Sequence, residues 1–239
     1  MMESPFARSA AMLGEEALAR LQSARVAVFG VGGVGGYVCE ALVRSGVGTL
    51  DVFDKDDVSI TNLNRQIIAL HSTIGQDKVS VLAARMRDIN PAVVINEHKV
   101  FYLPENADDF DLRQYDYVVD AVDTVAAKIE LAVRCELLGV PLIAAMGAGN
   151  KLDPSKLQIA DVYKTSVCPL ARAMRNTLRK KGVKHLTVAY STEEPVPFPE
   201  DGPVIEAENG RHPPASMAFV PSAMGLLIAS HVVRRLTGK

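Results

Sequence analysis

The sequence contains no paired CxxC motif, and its three cysteines, Cys39, Cys135 and Cys168, are far apart. An odd, scattered set does not make a disulfide framework, and without CxxC pairs a four-cysteine zinc site is not expected. There is no apolar run long enough to span a bilayer. The nearest stretch, residues 218–233, is interrupted by Pro221, Ser222, Gly225, Ser230 and His231, and it reads as a buried C-terminal helix. The first residues carry no apolar signal core. These absences lead us to expect a cytoplasmic chain in a reducing compartment, without a membrane partner. Charge of one sign is also missing. The formal net charge is −2, so any attraction for nucleic acid must come from a local patch. No internal repeat is evident.

What is present is a 239-residue chain, 48% hydrophobic, long enough to bury a sizeable core. Four β-formers, Val26 to Phe29, run into Gly30-Val31-Gly32-Gly33-Val34-Gly35-Gly36. Val34, Val38 and Leu42 then recur at helical spacing. This predicts a strand over 25–30, a tight turn and a helix over 34–45. Unpaired amides at that helix start, with the positive end of its dipole, favour phosphate.

Further strands are predicted at 49–53, 93–95, 117–119 and 142–145. The helices between them are marked by Val79, Leu82, Met86 and Ile89, ended by Pro91, and by Ile129, Val133 and Leu137, stopped by Gly139. A short amphipathic helix is predicted over 9–23, and a helical turn near 62–67. Strands alternating with helices mean an α/β fold with a Rossmann-like, doubly wound, mostly parallel sheet. After Gly147 the alternation weakens into a mixed C-terminal extension, with strands at 157–162 and 185–190 and a basic helix over 171–181. We read residues 1–239 as a single domain, with a nucleotide-binding core over 1–153 and a substrate-side extension over 154–239. Residues 193–214, rich in proline and acids, are expected to form a mobile flap or linker.

Gly30-x-Gly32-x-x-Gly35 alone is a weak signal, and tight helix–strand packing would also account for it. Asp54 lies 19 residues beyond Gly35, at the end of the second strand, where a carboxylate can accept bonds from ribose hydroxyls. To this point NAD and ATP are served equally. Arg65 and Lys78 favour a triphosphate, because a guanidinium grips phosphate oxygens in a fork and a lysine supplies a point charge. Asp120-Ala121-Val122-Asp123 ends the fourth strand at the carboxyl edge, where a carboxylate can hold Mg²⁺ beside phosphates. The bland readings are surface charge for Arg65 and Lys78, and a helix N-cap for Asp123.

Gly30–Gly36, Asp54-Lys55-Asp56, Asn62-x-Asn64-Arg65-Gln66, Gly75-x-x-Lys78 and Asp120-x-x-Asp123 resemble the motif series of the ubiquitin-activating-enzyme-like superfamily of ThiF-type adenylating domains. The resemblance runs from about Arg8 to Asp153, and Pro221-Ser222-Ala223-Met224-Gly225 resembles that superfamily's closing helix. It implies that Asp54 binds ribose, that Arg65 and Lys78 hold the triphosphate and that Asp123 holds Mg²⁺. Arg8 would reach across a homodimer to the γ-phosphate, so Arg8, Arg65, Lys78 and Asp123 form the implied catalytic set. Gly30, Gly32, Gly33, Gly35, Asp56, Asn62, Asn64, Gln66, Asp120 and Thr124 complete the implied nucleotide site.

Met146-Gly147-Ala148-Gly149-Asn150-Lys151-Leu152-Asp153-Pro154 and residues 161–170, DVYKTSVCPL, narrow the resemblance. They are similar to the bacterial tRNA threonylcarbamoyladenosine dehydratases, which use ATP to close a threonylcarbamoyl group beside the anticodon into a cyclic form. This implies ATP and Mg²⁺ as cofactors and tRNA as partner. Arg172, Arg175, Arg179, Lys180 and Lys181 supply a run of one sign that suits a phosphate backbone, and equally an ordinary solvated helix face. Cys168 reads either as an acyl-accepting thiol or as an inert, semi-buried one, the second reading being favoured.

Three other functions remain open at this stage. An adenylyltransferase for a sulfur-carrier protein usually has the CxxC pairs absent here, although a sulfur-relay or carrier-protein partner is compatible with the chain. A nicotinamide oxidoreductase leaves Arg65 and Lys78 without a role. A non-catalytic nucleotide-binding scaffold would bind ATP without turnover.

Overall fold

The computed structural model describes residues 4–199 and 214–239. Its strands are β1 (Arg25–Phe29), β2 (Thr49–Phe53), β3 (Val94–His98), β4 (Tyr117–Asp120), β5 (Leu142–Ala145), β6 (Leu157–Asp161) and β7 (Thr187–Ser191). They form one seven-stranded sheet in the order β3-β2-β1-β4-β5-β7-β6. All pairs are parallel except β6 with β7, which is antiparallel. The order reverses between β1 and β4, so a crevice opens beyond their carboxyl ends.

The helices are α1 (Ala7–Leu13), α2 (Glu15–Ser23), α3 (Gly35–Arg44), α4 (Lys78–Ile89), α5 (Val125–Leu138), α6 (Pro169–Lys180) and α7 (Phe219–Thr237). They cover both faces of the sheet, and two apolar clusters result. One gathers Val26, Val28, Val38, Leu42, Met224 and Ile228; the other gathers Ala27, Phe29, Val118, Leu131, Met174 and Val188. The alternation of strand side chains between faces divides Val28 from Phe29 in this way.

Several boundaries differ from the expectation. The amphipathic stretch 9–23 is two helices, because Gly14 breaks it at φ 89°. The helical turn near 62–67 is a 3₁₀ turn over Ile60–Asn62, held by an N-capping Ser59. The C-terminal helix runs on to Thr237, past Ser230 and His231. Of the segment 193–214, residues 200–213 lie outside the described residues, while Val196 N–H donates to the Asn150 carbonyl at 2.8 Å. No described helix is long and apolar enough to cross a membrane.

α7 settles against the start of α3 at backbone contact. A Cβ on Gly225 would lie 2.5 Å from the Val34 carbonyl oxygen and 2.8 Å from Tyr37 Cβ. Only glycine permits that approach, and it brings Pro221, one turn earlier, to the mouth of the crevice.

Candidate nucleotide site

The turn after β1 is built for close backbone approach. Gly30 has φ +84°, and a Cβ on it would meet the Ala121 carbonyl oxygen at 2.7 Å. A Cβ on Gly35 would fall 1.8 Å from the Gly30 oxygen. The glycine turn and the loop after β4 therefore press together, which a larger residue at either position prevents. α3 starts there without a side-chain cap; Gly36 N–H donates to the Gly32 carbonyl and Tyr37 and Val38 N–H to the Val34 carbonyl, so the amides left for a ligand are those of the turn itself, Gly32 to Gly35.

Asp54 stands at the end of β2 as a braced carboxylate. Its Oδ2 accepts from Val31 N–H at 2.9 Å and its Oδ1 from Asp56 N–H at 3.0 Å. Lys78, the first residue of α4, is buried, and its Nζ lies 3.0 Å from Asp56 Oδ2 and 3.9 Å from Asp54 Oδ1. Burial pushes the Asp56 carboxyl up, but hydrogen bonds and charge from Lys78 and Lys55 outweigh it and hold the group below its usual range. A lysine fixed by carboxylates at a pocket wall offers a charge at one set point.

Arg65 follows the 3₁₀ turn. Its Nη1 donates to the Thr61 carbonyl and to Asn64 Oδ1, both at 2.9 Å. Asp123 is exposed beyond β4; its Oδ1 accepts from the Thr124 hydroxyl at 3.3 Å, and, with Asp56 the main cause, its charge helps hold the Lys55 ammonium above its usual pKa. Around these groups lies an open cavity of about 290 Å³, close to the lower bound of ordinary ligand pockets. Gly30, Gly32, Gly33, Asp54, Asp56, Arg65, Gln66, Lys78 and Asp123 all line it. Two residues of the lining, Gln66 and Tyr102, carry buried side-chain oxygens with no hydrogen-bond partner among the described residues. The mixture of glycine amides and cations fits a phosphorylated nucleotide. An exposed carboxylate such as Asp123 fits Mg²⁺, which is commonly held by one or two carboxylates together with substrate phosphates.

Other residues expected at the site lie elsewhere. Asp120 lies off the cavity lining. Its carboxylate is fully buried, 2.9 Å from the equally buried Lys128 Nζ, and burial pushes its pKa up. Its side chain points into the protein because β4 residues alternate faces, and it does not line the cavity. Asn62 is buried in the capping of its own turn, with Oδ1 accepting from Ser59 N–H at 3.0 Å. Its carbonyl takes the amides of Arg65 and Gln66, so it shapes the loop that carries them. Asn64 bonds Arg65 and the Ser216 carbonyl. Thr124 sits at the start of α5, Gly35 lies behind the turn, and Arg8 is exposed on α1 away from the cavity lining.

The sequence reading missed Val100, Phe101 and Tyr102, which follow β3 and form an apolar wall beside Phe29 and Phe53. Their position just past a parallel strand at the carboxyl edge was the available signal. It also missed Gly149, Pro214 and Ser216 on the far rim, and Lys128.

On α6 the basic run divides. Arg172, Arg179, Lys180 and Lys181 are exposed. Arg175 bonds the carbonyl and hydroxyl of Thr165, and the Arg179 guanidinium lies 5.3 Å from the Tyr163 ring centre. Arg175 is therefore a structural tie across the loop before α6. Cys168 is buried at the N-terminal cap of α6 and does not line the cavity.

A model of the ThiF family matches residues 6–239. The chain belongs to the ThiF family. Within that family it is 45% identical over 238 residues to a tRNA threonylcarbamoyladenosine dehydratase of Bacillus subtilis, covering 97% of this chain and 94% of the relative. Crystal structures of the Escherichia coli tRNA N6-threonylcarbamoyladenosine dehydratase in complex with AMP and with ATP superpose with a TM-score of 0.88 at 33% identity, over 98% of this chain and 94% of theirs. A sulfur carrier protein adenylyltransferase of Thermus thermophilus is 37% identical over 131 residues, which covers 55% of this chain.

Proposed function

We propose that the chain is an ATP-dependent tRNA threonylcarbamoyladenosine dehydratase, which cyclises the threonylcarbamoyl group next to the anticodon by activating its carboxylate. The observation that carries this reading is the convergence of Arg65, Lys78, Asp54 and Asp123 on one glycine-lined cavity, in a chain similar to dehydratases over nearly its whole length. A carboxylate resists attack because its charge repels nucleophiles and oxide leaves badly. Joining a carboxylate oxygen to the α-phosphorus of ATP, with departure of pyrophosphate, supplies a leaving group. The adjacent carbamoyl oxygen then bonds to the acyl carbon as AMP departs and a proton is lost. Attack within one molecule gains heavily from proximity.

In this scheme Asp54 binds the ribose, and the glycine-turn amides with Arg65 and Lys78 hold the phosphates. Asp123 carries Mg²⁺, which would stabilise charge on the departing pyrophosphate. Arg8 completes the site from the second subunit of a homodimer, and the exposed Arg172, Arg179, Lys180 and Lys181 meet the tRNA backbone. The reading carries with it a cytoplasmic location, where the tRNA and ATP are found. The sulfur-carrier alternative is less supported, since that likeness stops at about half of the chain.

The test is incubation with ATP, Mg²⁺ and threonylcarbamoyl-modified tRNA, followed by nucleoside mass spectrometry. A product lighter by one water is expected. Unchanged nucleoside, with adenylation of a Gly-Gly carrier protein instead, would favour the alternative.

A further inference from the structure

Asn150 occupies the left-handed region at φ 55°, a conformation that asparagine and aspartate tolerate better than most residues. Its N–H donates to the Ala215 carbonyl at 2.7 Å, and its Oδ1 accepts from Ala215 N–H at 2.8 Å. One residue thus clamps the segment before α7 through both of Ala215's backbone groups. The next carbonyl, that of Ser216, accepts from Asn64 Nδ2 at 2.9 Å, and Asn64 Oδ1 accepts from Arg65 Nη1 at 2.9 Å. With the bond to Thr61, both Nη1 protons are used. Nε and Nη2 have no protein partner among the described residues, so three of the five guanidinium donors are left for a ligand.

We propose that Asn150 is a positioning residue for Arg65. Through Ala215, Ser216 and Asn64 it sets which edge of the guanidinium is presented to the phosphates of ATP. The relay ties the loop after β5, on the substrate side, to the phosphate grip on the opposite rim. It rests on the reading of Arg65 as a phosphate ligand. Neutral hydrogen bonds are individually modest, but a guanidinium with a fixed edge forms a fork at less entropic cost than a free one.

The test is the Kd for ATP with Mg²⁺, measured calorimetrically without tRNA. Asn150→Gly keeps the left-handed backbone and removes the acceptor; it should weaken ATP roughly five- to ten-fold with the melting temperature little changed. Asn150→Asp keeps the acceptor and should restore tight binding, a rescue that a purely structural role for the loop does not require. Asn64→Ala should match Asn150→Gly, and the double variant should be no worse than either single one. Additive losses, or wild-type affinity in Asn150→Gly, overturn the coupling. Arg65→Ala separates the two levels. If it leaves ATP affinity unchanged, the phosphate role of Arg65 falls and the coupling with it. If it weakens ATP while Asn150→Gly does not, only the coupling falls.

Discussion

Lys128 donates both to Asp120 at 2.9 Å and to the Val122 carbonyl at 2.9 Å, fastening the loop that carries Asp123. Both partners of that ion pair are wholly buried, so removing one strands the other in the core. Lys128→Met should cost about 3–5 kcal/mol in urea unfolding, and joining it with Asp120→Asn should recover much of that loss. Asp51 is a second buried carboxylate, gripped by Arg25, His98 and Asn96 at 2.8 to 3.1 Å. Burial raises its pKa, yet these partners outweigh burial and hold it below the usual range. Its stabilising contribution is present above about pH 4, the ordinary carboxylate value, and is lost as pH falls through the lower folded value. Asp51→Asn should lower stability at neutral pH and flatten the acid limb of a pH–stability curve. Cys168 is 3% exposed, and intramolecular cyclisation calls for no protein nucleophile. Cys168→Ser should therefore keep most of the cyclisation activity; complete loss in a folded variant would instead indicate a thioester.

At the scale of elements, α6 shows how a uniform charge run is parted by packing. Its Ala171, Met174 and Leu178 face the core, which turns Arg175 toward the Thr165 loop and leaves Arg172, Arg179, Lys180 and Lys181 in solvent. Reversing Lys180 and Lys181 to glutamate should weaken tRNA binding and reduce the slope of log affinity against log salt by up to about two. Arg175→Glu should chiefly lower the melting temperature, because it breaks a tie within the fold. Filter binding over a salt series, paired with thermal melts, distinguishes the two.

For the molecule as a whole, the cavity is lined from one chain, yet Arg8 stays outside it on α1. If Arg8 serves a second subunit's site, Arg8→Ala and Asp54→Ala proteins should each be inactive alone. Mixed and allowed to exchange subunits, they should regain activity, since each heterodimer contains one intact site. Full activity of Arg8→Ala alone would place Arg8 outside the reaction, and no recovery after verified exchange would place it in its own subunit's site.

The parallel run of the first five strands, the glycine turn and the carboxylate after it were legible in the chain alone, because these depend on local periodicity and backbone freedom. Arg65, Lys78 and Asp123 were legible for the same reason, each lying a short step past a recognisable strand or turn. Only the tertiary structure decided that Asp120 turns inward to Lys128, that Val100–Tyr102 make the apolar wall, and that the remote Pro214 and Ser216 close the rim. Which way a strand-end side chain points, and which distant segment packs over a pocket, depends on how the layers pack. One-dimensional spacing carries no record of that.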